Sequence, residues 1–204
     1  MLKLENVTLR YGNDTVIENL SYQFTEGKTY GIIGASGIGK TTLLSLISSL
    51  IKPTDGKITN THKDISVIFQ DARLYPWLTA LDNVKLVYNN DSKARALLSA
   101  LTIKEDDLQK YPDELSGGMR QRVAIARALN YNADLFLLDE PFKGLDSEMR
   151  TDVRNTVFKQ LNGKTVIIVT HDKDDLPYCD VILKLCDSPV KELKTEESGI
   201  LETE

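Results

Sequence analysis

This 204-residue chain has little that would staple it together or carry it through a bilayer. It has two cysteines, and Cys179 and Cys186 fit no zinc or redox spacing. Both thiols are therefore expected to be small core or semi-buried groups. No apolar run approaches the ~20 residues of a membrane span. The first residues, MLKLENVTLR, lack the apolar core of a signal peptide. The chain is expected to be soluble and cytosolic, with any membrane role reached through a partner. A basic excess is also missing: 25 Lys+Arg stand against 30 Asp+Glu, a net charge of −5. That balance argues against non-specific nucleic-acid binding. Histidine is scarce; His62, in the polar run TNTHKD, is expected in a surface loop, whereas His171 closes an apolar run. What remains is ordinary globular material, 41% apolar and 27% charged, long enough for one domain or a core with a lobe.

The apolar pattern predicts an α/β chain with an insertion. Residues 2–10 and 15–24 are rich in β-branched and aromatic side chains around Gly12-Asn13-Asp14, which predicts a strand pair. Thr29–Ile33 is a short strand running into a glycine-rich loop, Gly34–Gly39. Leu43, Leu44, Leu46, Ile47 and Leu50 follow at helical spacing. Beyond the turn Pro53–Gly56, residues 57–59 and 65–69 read as strands. From Asp71 to about Asn130 the character changes: helices over 92–101 and 117–130, with polar connections, predict a helical lobe at about 71–130. Leu135–Asp139 and Thr165–Thr170 are unbroken apolar runs, as expected of parallel strands buried on both faces. A helix over 147–161 joins them into a βαβ unit, and Val181–Leu185 predicts one more strand. Residues 187–204 are acidic and weakly apolar, and are expected to form an appendage to a domain spanning 1–186.

GASGIGKT, Gly34–Thr41, fits G-x-x-x-x-G-K-[ST] between a predicted strand and a predicted helix, the context the motif requires. Glycines let the backbone turn sharply and approach a phosphate without an obstructing Cβ. Loop N–H groups and the positive helix end favour an anion. Lys40 adds a charge for the β- and γ-phosphates, and the Thr41 hydroxyl is placed for Mg²⁺. LFLLDE, Leu135–Glu140, puts two carboxylates at the carboxyl end of a buried strand, the edge where ligands sit in open α/β sheets. There Asp139 would hold Mg²⁺, directly or through water, and Glu140 would polarise an attacking water. An acidic pair also ends strands simply by meeting solvent, but beside a phosphate loop the functional reading dominates.

LSGGMRQR, Leu115–Arg122, resembles the signature motif of the ATP-binding cassette ATPases. Ser116, Gly117 and Gly118 open a helix and so offer a hydroxyl and bare N–H groups at its positive end, a second anion site. The bland alternative is a capped helix start with Ser116 as N-cap. The resemblance extends over roughly residues 2–186. It implies an α/β P-loop NTPase core with a mostly parallel sheet, an N-terminal antiparallel β subdomain and an inserted α-helical lobe. It implies ATP and Mg²⁺ as ligands. Tyr11 resembles the aromatic residue that stacks on adenine. Gly34, Ala35, Ser36, Gly37, Ile38, Gly39, Lys40, Thr41 and Thr42 match the phosphate-binding positions; Thr41, Gln70 and Asp139 match the Mg²⁺ positions. Glu140, Gln70 and His171 match the base, the glutamine that touches the attacking water and the histidine on the γ-phosphate. The family further implies a head-to-tail homodimer in which each ATP lies between one copy's Lys40 loop and the other copy's Ser116–Gly118. Asp146, in Gly144-Leu145-Asp146, sits on the loop that crosses to the partner.

FQDARLYPWLTALDNV, Phe69–Val84, most resembles importer ATPases for nitrate, sulfonate, taurine and related small solutes, with Pro76-Trp77 as the residue-level reason. That resemblance implies a membrane permease contacting about residues 70–84, an extracytoplasmic solute-binding protein, no nucleic acid, and a position on the inner face of the membrane. Trp77 reads as an interface anchor or as core of the lobe. Two departures stand out. PFKGLD carries Lys143-Gly144 where relatives of this kind usually have a small Ser-Ala pair, and the short stretch after the last predicted strand is expected to leave no room for the regulatory C-terminal domain of some importers. The expected function is ATP hydrolysis that powers transport. The alternatives are an exporter cassette for peptides or lipids, and a non-transport cassette ATPase. A chromosome-maintenance protein would need long heptads before the signature, and none are present.

Overall fold

The computed structural model describes residues 1–196. In chain order the elements are β1 (Leu2–Tyr11), β2 (Asp14–Phe24), β3 (Thr29–Ile33), α1 (Lys40–Ile47), β4 (Asp55–Asn60), β5 (Ile65–Ile68), α2 (Ala80–Lys85), α3 (Asp91–Ala100), α4 (Gly117–Asn130), β6 (Leu135–Asp139), α5 (Ser147–Gln160), β7 (Thr165–Val169), β8 (Val181–Leu185) and β9 (Leu193–Glu196). Among the described residues no helix is long and apolar enough to cross a membrane. The chain divides into two compact units. The first comprises Met1–Ile65, Asp134–Asp139 and the chain from Gly163 on; the second comprises Ser66–Ala133 and Glu140–Asn162.

The first unit holds both sheets' main strands. The smaller sheet is antiparallel in the order β2-β1-β4. Gly56 is obligatory there, because a Cβ would lie 2.2 Å from the Asn6 carbonyl oxygen and its φ is +84°. The larger sheet runs β5-β6-β7-β3-β8-β9. Strands β6, β7 and β3 are parallel and β6 and β7 are buried at every position, which explains their unbroken apolar runs. Their register pairs Asp139 with Val169 and Val169 with Ile32, so these three residues form one row across the sheet. The segments that follow them, Gly34–Lys40 after β3 and Thr170–His171 after β7, therefore leave the same carboxyl edge as Asp139. Helix α1 buries Leu43, Leu44, Leu46 and Ile47, as its spacing predicts.

The stretch expected as an appendage is in part built into the sheet. Strand β9 pairs antiparallel with β8, and Val190, fully buried, exchanges backbone hydrogen bonds with Val16 and Glu18. Its last residues, 197–204, lie outside the described residues. The second expectation to change concerns His62: it is half-buried rather than a surface loop residue, with its Nε2 buried and without a hydrogen-bond partner among the described residues.

The second unit is the helical lobe, somewhat larger than the expected 71–130 because it also holds α5. Helices α2, α3 and α4 begin at side-chain caps: Thr79, Asn90 and Ser116 accept from the N–H groups of Asp82, Lys93 and Met119, whereas Asp146 before α5 makes no such bond. Buried Asn130 at the end of α4 donates to the Val84 and Tyr88 carbonyls at 2.9 and 2.8 Å, which satisfies acceptors at and beyond the end of α2. Helix α2 was not anticipated; at six residues it is too short to show periodicity.

Candidate active site

In the first unit, the loop between β3 and α1 owes its shape to three glycines with positive φ: Gly34 (+152°), Gly37 (+77°) and Gly39 (+118°). A Cβ on Gly34 would lie 3.0 Å from the Leu185 carbonyl, and one on Gly39 3.0 Å from a Val16 methyl. The loop is thus both turned and backed by neighbours in a way only glycine permits. Lys40, the first residue of α1, is buried, and its Nζ donates to the Gly34 and Ala35 carbonyls, each at 2.8 Å. The ammonium is held back against its own loop. Ala35, Ser36, Gly37 and Thr41 are exposed, Ile38 and Thr42 half-buried. No acidic residue stands in the first turn of α1, so nothing there neutralises its positive end.

Asp139 is buried at the end of β6. His171 is exposed on a turn built by residues the sequence reading did not single out. The Thr170 N–H donates to the Ile32 carbonyl at 3.3 Å, its hydroxyl donates to the buried Asp175 carboxylate, and the Asp172 N–H donates to the Thr170 hydroxyl at 2.9 Å. A run of small polar and acidic residues directly after an apolar strand was the available signal. Tyr11 ends β1 beside its partner Asp14 at the hairpin tip, and the residue is 55% exposed.

The second unit carries the remaining expected residues. Gln70 is exposed on the bend after β5. The segment beyond it is pinned to α4, since Arg127 donates to the Ala72 and Arg73 carbonyls at 3.2 and 3.0 Å, and the Arg73 guanidinium lies 3.8 Å over the Phe69 ring. Burial lowers the Arg127 pKa from its ordinary value. Ser116 does cap α4, accepting from the Met119 N–H at 3.2 Å. It and Gly117 remain exposed, and no acidic residue follows in the first turn. Capping and a second anion site are therefore compatible on one helix start.

Glu140, which directly follows Asp139, has a left-handed backbone, φ +45°, costly for a residue with a side chain. Its Oε2 lies 2.9 Å from Lys143 Nζ. Asp146 is exposed at the head of α5. Gln121, which the sequence reading passed over, is buried and its Nε2 donates to the carbonyls of Phe69 (3.3 Å) and Pro141 (3.0 Å).

The family model described as ABC transporter matches residues 17–143 of this chain. The chain belongs to the ABC transporter family. Tyr11, Asp146 and His171 lie outside the matched segment. Among curated relatives, the aliphatic sulfonates import ATP-binding protein SsuB 1 of Shouchella clausii is 38% identical over 178 residues, 85% of this chain and 72% of that protein. The bicarbonate transport ATP-binding protein CmpD of Synechocystis is 37% identical over 196 residues, covering 85% and 70%. Among solved structures, the dimeric post-hydrolysis state of the ATP-binding cassette MJ0796 with ADP and Pi superposes with a TM-score of 0.85. It is 33% identical and covers 96% of this chain and 98% of that one. This ABC protein is accordingly an ATP-binding ATPase on an α/β P-loop NTPase fold, and its kin include ATP-binding subunits of import systems.

Proposed function

We propose that this ABC protein is the energy-coupling subunit of an importer for small solutes of the nitrate, sulfonate or taurine kind. The observation that carries the reading is the row Ile32–Val169–Asp139, which sends the Gly34–Lys40 loop, Asp139 and His171 off one sheet edge, with Glu140 next in sequence to Asp139. The glycine cradle accepts the phosphates, Lys40 leaves its loop carbonyls for the β- and γ-phosphate oxygens, and Thr42 extends the contact at the helix start. Tyr11 stacks on the base. A buried carboxylate and a helix-start hydroxyl that leave the same sheet edge are a donor set that suits Mg²⁺, so Asp139 and Thr41, with Gln70, would hold it. When bound, the ion would neutralise charge on the β- and γ-phosphate oxygens.

Hydrolysis then needs a water in line with the γ-phosphorus. Gln70 orients it, and Glu140 accepts its proton as the new O–P bond forms and the bond to the β-phosphate oxygen breaks. His171 donates to a γ-phosphate oxygen. Ser116, Gly117 and Gly118 serve the ATP of a second copy, and Asp146 lies in the segment that meets that copy. Two helix starts free of acidic residues in one chain, and the dimeric state of the related cassette, support this homodimeric arrangement. The permease contacts about residues 70–84, which puts the chain on the inner face of the membrane; an extracytoplasmic solute-binding protein completes the system. The names of the sulfonate and bicarbonate relatives support small anions as the solute class.

Replacing Glu140 by Gln tests the core of this reading. Turnover should fall by at least about 100-fold, while ATP stays bound and size-exclusion chromatography shows a dimer. Hydrolysis at the parental rate would overturn the assignment of the base.

A further inference from the structure

The loop after Glu140 carries Lys143, and the structure shows that lysine holding Glu140 twice. The Lys143 N–H donates to the Glu140 carbonyl at 3.1 Å, and Lys143 Nζ sits 2.9 Å from Glu140 Oε2. One residue therefore ties both the backbone and the carboxylate of its neighbour three positions back. The tie starts from a fixed place. Phe142 and Leu145, on either side of Lys143-Gly144, are buried, and the Leu145 N–H donates to the Phe142 carbonyl at 3.3 Å. Arg150 Nη2 donates to the Leu145 carbonyl at 2.9 Å, and the Arg154 guanidinium lies 5.7 Å from the Phe142 ring centre. Lys143 and Gly144 form the outward crest of an anchored loop, and the ammonium folds back from that crest onto a carboxylate only 17% exposed. The same crest meets the signature helix: a Cβ on Gly118 would lie 3.5 Å from the Gly144 carbonyl and 3.6 Å from a Leu145 methyl.

We propose that Lys143 is a positioning residue for hydrolysis: it orients the Glu140 carboxylate and carries to it the position of the Gly144–Asp146 loop against Gly118. This rests on Glu140 being the base. The physics is that of a restrained side chain. An ammonium on one carboxylate oxygen narrows the rotamers of Glu140, and a rotamer fixed in advance need not be paid for in the transition state. Glu140 already sits on a left-handed backbone, and Lys143 adds a restraint on the side chain that this backbone carries. Any shift of the crest moves the ammonium, which makes the orientation of Glu140 depend on whatever docks against that loop.

The test is steady-state ATPase of the full chain, with kcat and KM separated, for the parent, K143M, K143R and E140Q, at roughly 0.05 and 0.5 M salt. K143M keeps the length and apolar stem but loses the charge. It should lower kcat roughly fivefold at low salt with KM within about twofold, the signature of an interaction made for the transition state. K143R should restore most of kcat. The parent should lose activity with salt where K143M does not, because the ammonium of the pair is open to solvent and is screened by added ions. A merely structural lysine would move melting temperature and leave this salt dependence intact. K143M at the parental kcat, or K143R as slow as K143M, overturns the proposal while an inactive E140Q leaves the base assignment standing. An active E140Q would instead take down the base assignment and this proposal with it.

Discussion

Pro141, the residue after Glu140, has its carbonyl oxygen 3.0 Å from the buried side-chain amide of Gln121, and the same amide reaches the carbonyl of Phe69, the residue before Gln70, at 3.3 Å. One side chain of the signature helix thus fixes the backbone on which two of the proposed hydrolytic residues ride. Replacing Gln121 by Met keeps the bulk and removes both donors, leaving two carbonyls short of a partner. Each costs ~1 kcal/mol or more when buried, so urea denaturation should show a loss of ~2 kcal/mol. ATPase kcat, measured well below the melting transition, should fall with it, while nucleotide affinity at the Lys40 loop, which belongs to the other unit, should hold. A Q121M protein that is less stable yet turns over normally would show that the two hydrogen bonds serve only the fold.

Trp77 is 69% exposed, which removes the reading that it fills the lobe's core. It stacks edge-on against Tyr75 with ring centres 5.3 Å apart. The loop that displays both is tied to Asn83, fully buried on α2. Asn83 accepts from the Tyr75 N–H at 2.8 Å and donates to the carbonyls of Tyr75, Leu78 and Thr79 at 3.0 to 3.1 Å. An aromatic held out in water by a buried amide is a poor way to stabilise a lobe and a good way to present an anchor. Trp77→Ala should change stability by less than about 0.5 kcal/mol and leave the ATPase of the isolated chain unaltered, yet lower solute uptake by the assembled transporter. Asn83→Leu, which frees the loop while sparing Trp77, should lower uptake too. Equal loss of uptake and isolated ATPase in W77A would contradict a docking role.

Much of this molecule was legible because its chemistry sits on strong local signals. Strands β6 and β7 announce themselves as unbroken apolar runs, and the Gly34–Thr41 loop by glycines whose positive φ no other residue tolerates cheaply. What escaped depends on partners distant in sequence. Strand β9 was hidden because a four-residue edge strand rich in Lys and Glu has no pattern of its own and exists by pairing with β8. Gln121 looks like any polar helix residue until Phe69 and Pro141 are brought to it. The thiols show the same limit: Cys186 is exposed, against expectation, whereas Cys179 lies under Gly31 and beside Asp175, and burial pushes its pKa up to about 12. Nothing in the spacing of two cysteines could have told them apart.

His62 gives the fold a dependence on acid. Burial lowers its pKa first, and the amino group of Met1 adds to this, against the opposing pull of Glu26 and Asp134. Its Nε2 is buried without a hydrogen-bond partner among the described residues, while the backbone N–H of the same residue donates to Asn60 Oδ1 at 3.0 Å. Charging the ring would place an N–H on both nitrogens in a pocket that offers Nε2 no acceptor. The sign follows. With a folded pKa below the ordinary 6.5, the unfolded chain takes up the proton first, so stability is full above about pH 6.5 and is lost as pH falls through the lowered folded value. Urea midpoints at roughly pH 7.5 and 5.5 should therefore fall further for the parent than for His62→Gln, which cannot charge. Carboxylates titrating over the same range contribute alike to both proteins and cancel in the difference. If the two lose stability in step, the histidine is protonated as easily in the fold as out of it, and its buried nitrogen finds an acceptor in solution.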